Sequence, residues 1–174
     1  MKTNKKGFTI IEVVLVLAIA GLIFLMVFIA LPALQRSQRN TQREDDIARF
    51  LTAVNDYQTN NSGKTPFQTG LLGTFTKRYI DDTCAISADG KTITASSCGQ
   101  QFTDPDGTQY IWDVKAAISA DTTFSGTTVD HKLTVYQAAG CGSTEGVVKY
   151  YAGERNIAIF YVEEGGAIVC NDNH

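Results

Sequence analysis

The residue most in need of an explanation is Glu12. It is the only charged side chain between Lys6 and Arg36, in an otherwise apolar run that starts at Phe8. A carboxylate deep in lipid costs roughly 2.5–3.5 kcal/mol on insertion scales, so it needs a partner. A cut between Gly7 and Phe8 would create one, a new α-amino group four residues before Glu12. Amine and carboxylate could neutralise each other within one helix or between neighbouring chains. Low dielectric sharpens the preference for the paired state, and pairing between neighbours would fix the axial register of a helix bundle.

The other chemically capable residues form no catalytic pattern. Phosphate loops, paired-histidine sites and nucleophile elbows are missing from the sequence. His131 lies beside Asp130 in a strand pattern and reads as half of a surface pair, while His174 is the last residue. Asp104 and Asp106 could offer oxygen ligands, but calcium takes six to eight, so no metal or cofactor is expected. Glu163-Glu164 before Gly165-Gly166 reads as a solvated charged turn. Lys132, Lys149 and Arg155 with Tyr150 and Tyr151 suggest a small basic, aromatic patch that could bind DNA.

Cys84, Cys98, Cys141 and Cys170 lack any CxxC pair and have no histidine at zinc spacing. An even count behind an export segment favours two disulfides in an oxidising compartment. Three pairings are open. Cys84–Cys98 with Cys141–Cys170 is favoured, since each bridge closes a loop within one local unit.

The elements that must position these residues are legible in outline. Val13 to Leu31 carries no charge, and its nineteen residues span ~28 Å as a helix, close to a hydrocarbon core of ~30 Å. Lys2, Lys5 and Lys6 precede it, which places the N-terminus in the cytoplasm and the C-terminal domain outside. A simple secretory signal would have a shorter apolar core and a small-residue cleavage site after it. Gly21 and Pro32 interrupt the run, and Pro32 should kink the helix. Beyond it, Ile47, Phe50, Leu51, Val54 and Tyr57 share one helical face. Asn60 to Gly63 and Pro66 should end the helix. Strands are expected at 110–118, 128–137, 147–151, 156–162 and 167–170, with an Asp89-Gly90 hairpin and an Asp104-Pro105-Asp106-Gly107 turn before them. The formal charge is −3, from 15 basic and 18 acidic side chains. Loss of the first seven residues removes three lysines and no acid, giving −6, which argues against a general nucleic-acid binder.

Lys5-Lys6-Gly7-Phe8-Thr9-Ile10-Ile11-Glu12 closely resembles the class III signal of type IV pilins and pseudopilins: a basic leader ending in Gly, then Phe, then Glu four residues on. The resemblance covers roughly the first 32 residues. It implies cleavage after Gly7 by a membrane prepilin peptidase and N-methylation of Phe8. The implied fold is α+β, a long N-terminal helix whose C-terminal half packs on an antiparallel sheet of four or five strands. The implied parts are a leader (1–7), a hydrophobic helix serving as membrane anchor and filament core (8–35), an amphipathic helix half and connection (36–66), and a disulfide-bearing sheet domain (67–174). The implied role is that of a non-enzymatic subunit, stored in membrane lipid and added by an inner-membrane assembly platform to a surface filament of identical or related pilins. Adhesion, twitching motility and DNA uptake are the roles such filaments serve. The alternatives are a pseudopilin of a type II secretion system and a minor DNA-binding competence pilin.

Overall fold

The computed structural model describes residues 7–67, 71–80, 85–86, 93–94, 103–108, 110–126, 131–153 and 155–173. The chain divides into two compact units, Met1–Gln38 and Arg39–His174. Helix α1 (Ile10–Asn60) runs unbroken through Gly21 and Pro32, so neither residue ends it. In the first unit its large apolar side chains, from Phe8 to Leu34, are 45–90% exposed. It is long and apolar enough to cross a membrane.

In the second unit α1 behaves as an ordinary amphipathic helix. Ile47, Phe50, Leu51, Val54 and Tyr57, the five residues expected on one face, are all buried. They pack with Trp112, Leu133, Val135, Ile157, Ile159 and Tyr161 from the sheet. Phe50 stacks on Trp112 at 4.0 Å between ring centroids and meets Phe75 edge-on at 5.7 Å. Tyr57 meets Phe75 and Tyr79 in the same edge-on manner. Phe75 belongs to the short helix α2 (Leu72–Phe75), and Tyr79 to the π-helical turn Thr76–Ile80 that continues it.

The helix stops where its sequence requires. The Gly63 amide donates back to the Gln58 carbonyl at 2.7 Å, with Ser62 and Gly63 both at positive φ. That conformation suits glycine at the end of a helix. A Cβ at Gly63 would also overlap the Arg155 guanidinium.

The strands are β1 (Ala85–Ile86), β2 (Ile93–Thr94), β3 (Ile111–Ala117), β4 (Thr122–Thr123), β5 (Lys132–Gln137), β6 (Ala139–Cys141), β7 (Val147–Tyr150), β8 (Ile157–Val162) and β9 (Ile168–Asp172). Strands β1 and β2 pair antiparallel on either side of the expected Asp89-Gly90 hairpin; the turn itself lies outside the described residues. The main sheet has the order β3-β5-β8-β9, and a smaller one has the order β4-β7-β6.

The α+β class and the packing of helix on sheet agree with expectation. The expected all-antiparallel sheet does not: β3 pairs with β5 in parallel, Ile111 opposite Lys132, so the sheet is mixed. The cause is the connection. Between β3 and β5 the chain makes β4 in the other sheet, and such a crossover returns it in the same direction. The small sheet is a second addition to the expected fold. At Ala138, which takes φ 54°, the chain leaves the main sheet for β6.

Strand β8 shows why a second sheet is needed. All six of its residues are buried. Ile157, Ile159 and Tyr161 join the helix-side core, whereas Ala158 and Phe160 join Ala139 and Val148 of the small sheet. Its sequence, IAIFYV, lacks polar alternation, as expected of a strand covered on both faces. Phe50 links helix, α2 and sheet at zero exposure, so Phe50→Ala should cost about 3–5 kcal/mol. Urea unfolding of the full chain in detergent, followed by tryptophan fluorescence from Trp112, measures this.

Candidate functional site

In the first unit the Glu12 carboxylate has a partner within its own chain. Both the Thr9 amide and the Thr9 hydroxyl donate to Glu12 Oε2, each at 2.8 Å. Thr9 precedes the first helical residue and Glu12 is the third within the helix, so the carboxylate reaches back to an orphan amide as in a capping box. Threonine, two residues and glutamate ahead of an apolar run is the sequence mark of that motif, and it identifies Thr9, which the reading centred on the new amine passed over. The arrangement keeps the carboxylate hydrogen-bonded while the Gly7–Phe8 peptide is intact.

In the second unit polar residues gather around Arg43. Its guanidinium forks onto Asp104, Nε to Oδ2 at 2.5 Å and Nη2 to Oδ1 at 2.8 Å, with both side chains buried. Arg43 Nη2 also donates to Glu164 Oε1 at 3.1 Å. Arg39 forks onto Glu164 with two bonds of 2.6 Å. Asn40 donates to Glu163 and accepts the Glu164 amide. One turn later the Tyr110 hydroxyl donates to Asp46 at 3.0 Å, and Arg49 pairs with the other oxygen of Asp46. This cluster pins α1 to the Asp104 turn and to the β8–β9 turn. Glu164 is therefore not the solvated turn residue expected from sequence. The Arg39 fork, with help from Arg43, holds its carboxyl down at about 2. Burial pushes Asp46 up, against the hydrogen bond from Tyr110, and raises the Tyr110 phenol as well.

The Asp104-Pro105-Asp106-Gly107 turn forms as expected, the Gly107 amide donating to the Asp104 carbonyl at 2.8 Å with Gly107 at φ 88°. His131 turns towards it. Nδ1 lies 3.4 Å from Asp104 Oδ2, and Nε2 lies 3.3 Å from Asp106 Oδ2. The expected neighbour Asp130 lies outside the described residues, as do His174, Cys84 and Cys98, so the Cys84–Cys98 bridge falls there too. Cys141 and Cys170 are joined, with Cα atoms 5.7 Å apart, and tie β6 of the small sheet to β9 of the main one.

The basic patch is dispersed. Lys132 and Lys115 both reach Asp113 Oδ2 at 2.8 Å, and Arg155 stands at the Gly63 turn. Lys149 and Tyr150 are exposed. Two of the three expected cations are thus drawn into local contacts.

Residues 2–28 match the family model of the prokaryotic N-terminal methylation motif. No curated protein and no solved structure gives a significant match to the chain.

Two outcomes follow from the Arg43 cluster. Arg43→Met leaves Asp104 buried without its cation and should cost about 3–5 kcal/mol, read from chemical denaturation. Glu164 titrates lower folded than unfolded, so its contribution is complete above about 4.5 and is lost as pH falls towards about 2. Asp46 acts in the opposite sense, since its folded carboxyl is raised. Melting temperature should fall across the Glu164 window, and the fall should be smaller in Glu164→Gln.

Proposed function

Because residues 2–28 carry the class III prepilin signal of type IV pilins and pseudopilins, we propose that this chain is a structural subunit of an extracellular type IV pilus. It is stored in the membrane, cleaved after Gly7 by a prepilin peptidase, N-methylated at Phe8 and assembled through α1. Residues 8–35 serve first as anchor and then as filament core, and the sheet domain stays outside the membrane. Assembly draws on identical or related subunits and an inner-membrane platform.

The observation that carries this reading is the exposed apolar half of α1 with Glu12 as its single acid. Such a helix needs lipid or other helices around it. The Thr9 bonds give Glu12 a partner before cleavage. After cleavage the Phe8 amine offers a charged one, from the same subunit or a neighbour. Pairing with a neighbour rewards correct register, because a misplaced subunit leaves a carboxylate unpaired in low dielectric. Gly21 and Pro32 are places where α1 can bend or approach another helix closely.

A pseudopilin of a type II secretion system carries the same signal, and the two readings part in the cell. Surface filaments containing this chain support the first; loss of enzyme secretion on its deletion, without loss of filaments, supports the second. A DNA-binding competence pilin receives less support, since Lys132 is drawn to Asp113.

Glu12→Ala should still insert in the membrane yet fall at least about tenfold in sheared filaments, the equivalent of one ion pair worth about 1.4 kcal/mol. Quantitative immunoblots of membrane and sheared fractions provide the measurement. Undiminished assembly of Glu12→Ala contradicts the proposed role.

A further inference from the structure

The Asp104 turn and His131 bring together a set of groups that folding alone leaves incomplete. One ligand atom from each of Asp104, Asp106 and His131 lies within 4.8 Å of the other two. Asp104 is fully buried, Asp106 is at the rim and His131 lies between them. The nitrogen–oxygen separations from His131, 3.3 and 3.4 Å, are longer than the 2.5–2.8 Å bonds that Arg43 makes to the same Asp104. A histidine gives a metal one nitrogen; with Nδ1 in that place, its 3.4 Å separation from Asp104 Oδ2 is close to the ligand–ligand edge, about 3.3 Å, of a tetrahedral zinc shell with bonds of about 2.0–2.1 Å, and Asp106 lies within 4.8 Å of both.

A second observation is independent of the carboxylates. Among the described residues, the Tyr161 hydroxyl is buried without a hydrogen-bond partner, Tyr161 being only 3% exposed, and His131 Nδ1 is buried with no contact shorter than the 3.4 Å to Asp104. Both residues line one cavity of about 10 Å³ with Arg43, Asp104 and Tyr110. A space of that size holds about one water molecule. Buried polar groups without close partners are rare, so two beside one water-sized space point to a missing ligand.

We propose that Asp104, Asp106 and His131 bind a divalent transition-metal ion of the Zn²⁺ type, with a metal-bound water filling the cavity and meeting Tyr161. The outer contacts are already in place. Arg43 orients Asp104, and the Thr108 amide occupies Asp106 Oδ1 at 2.7 Å, leaving Oδ2 towards His131. Such supporting bonds orient metal ligands. Charge favours a cation here: Arg43 is matched by Asp104 and Arg39 by Glu164, and the ion pair that Asp106 makes among the described residues is with the imidazole. One imidazole and two carboxylates suit zinc-like metals, whereas calcium prefers six to eight oxygens. A bound metal would lock the turn before β3 to the residue before β5, adding a cross-link to the mixed sheet.

The test is titration of the full chain, in detergent and without an affinity tag, with ZnCl₂ by calorimetry and thermal denaturation. One equivalent should bind and raise the melting temperature. His131→Gln and Asp106→Asn should each weaken binding about tenfold or more, while His174→Gln and CaCl₂ in place of ZnCl₂ serve as controls. Asp106→Asn keeps the Arg43–Asp104 pair, so it separates loss of a ligand from loss of the fold, with circular dichroism as the check. Absence of saturable Zn²⁺ binding, binding untouched by both substitutions, or an equal response to calcium would overturn the proposal.

Discussion

The constraint on which the rest depends is where α1 puts its apolar surface. Between Ile47 and Tyr57 the helix buries one face against a sheet and exposes a polar one. Between Phe8 and Leu34 it is apolar on all sides, and its large apolar side chains are exposed. A helix apolar all round needs surroundings as apolar as itself. Lipid and a bundle of like helices both meet that need, so one sequence can serve two successive environments. Glu12 is the exception, because a carboxylate in apolar surroundings requires a partner.

Thr9 changes how that requirement is understood. In the uncut chain Glu12 is held by the amide and hydroxyl of Thr9. Cleavage would bring a cationic competitor for the same carboxylate. In the proposed assembly one set of bonds is exchanged for another, and the difference between them would select the register. A difference of a few kcal/mol is enough to favour correct placement strongly while leaving the waiting subunit stable.

The sequence revealed most where the physics is local. The apolar span, the five-residue face of α1, the Gly63 stop and the Asp104-Gly107 turn each depend on near neighbours, and each was legible. The five long strands were also placed to within a few residues. Long-range pairings were less accessible. Nothing near β3 signals that it lies parallel to β5, since the crossover through β4 decides it. Strand β6 was hidden by glycines that read as punctuation, although the two-sided hydrophobicity of β8 implied a second covering layer. The Arg43 cluster joins residues 61 and 121 positions apart. Glu164 and His131 were read from their immediate neighbours, whereas their decisive contacts come from α1 and from the Asp104 turn.

The most direct test of the account is the mass of the N-terminal peptide of this chain recovered from filaments sheared off the producing cell. A peptide that starts at Phe8 and carries one methyl group on its amine is the expected result. A chain that is absent from those filaments, and whose membrane-bound form still starts at Met1, would contradict it.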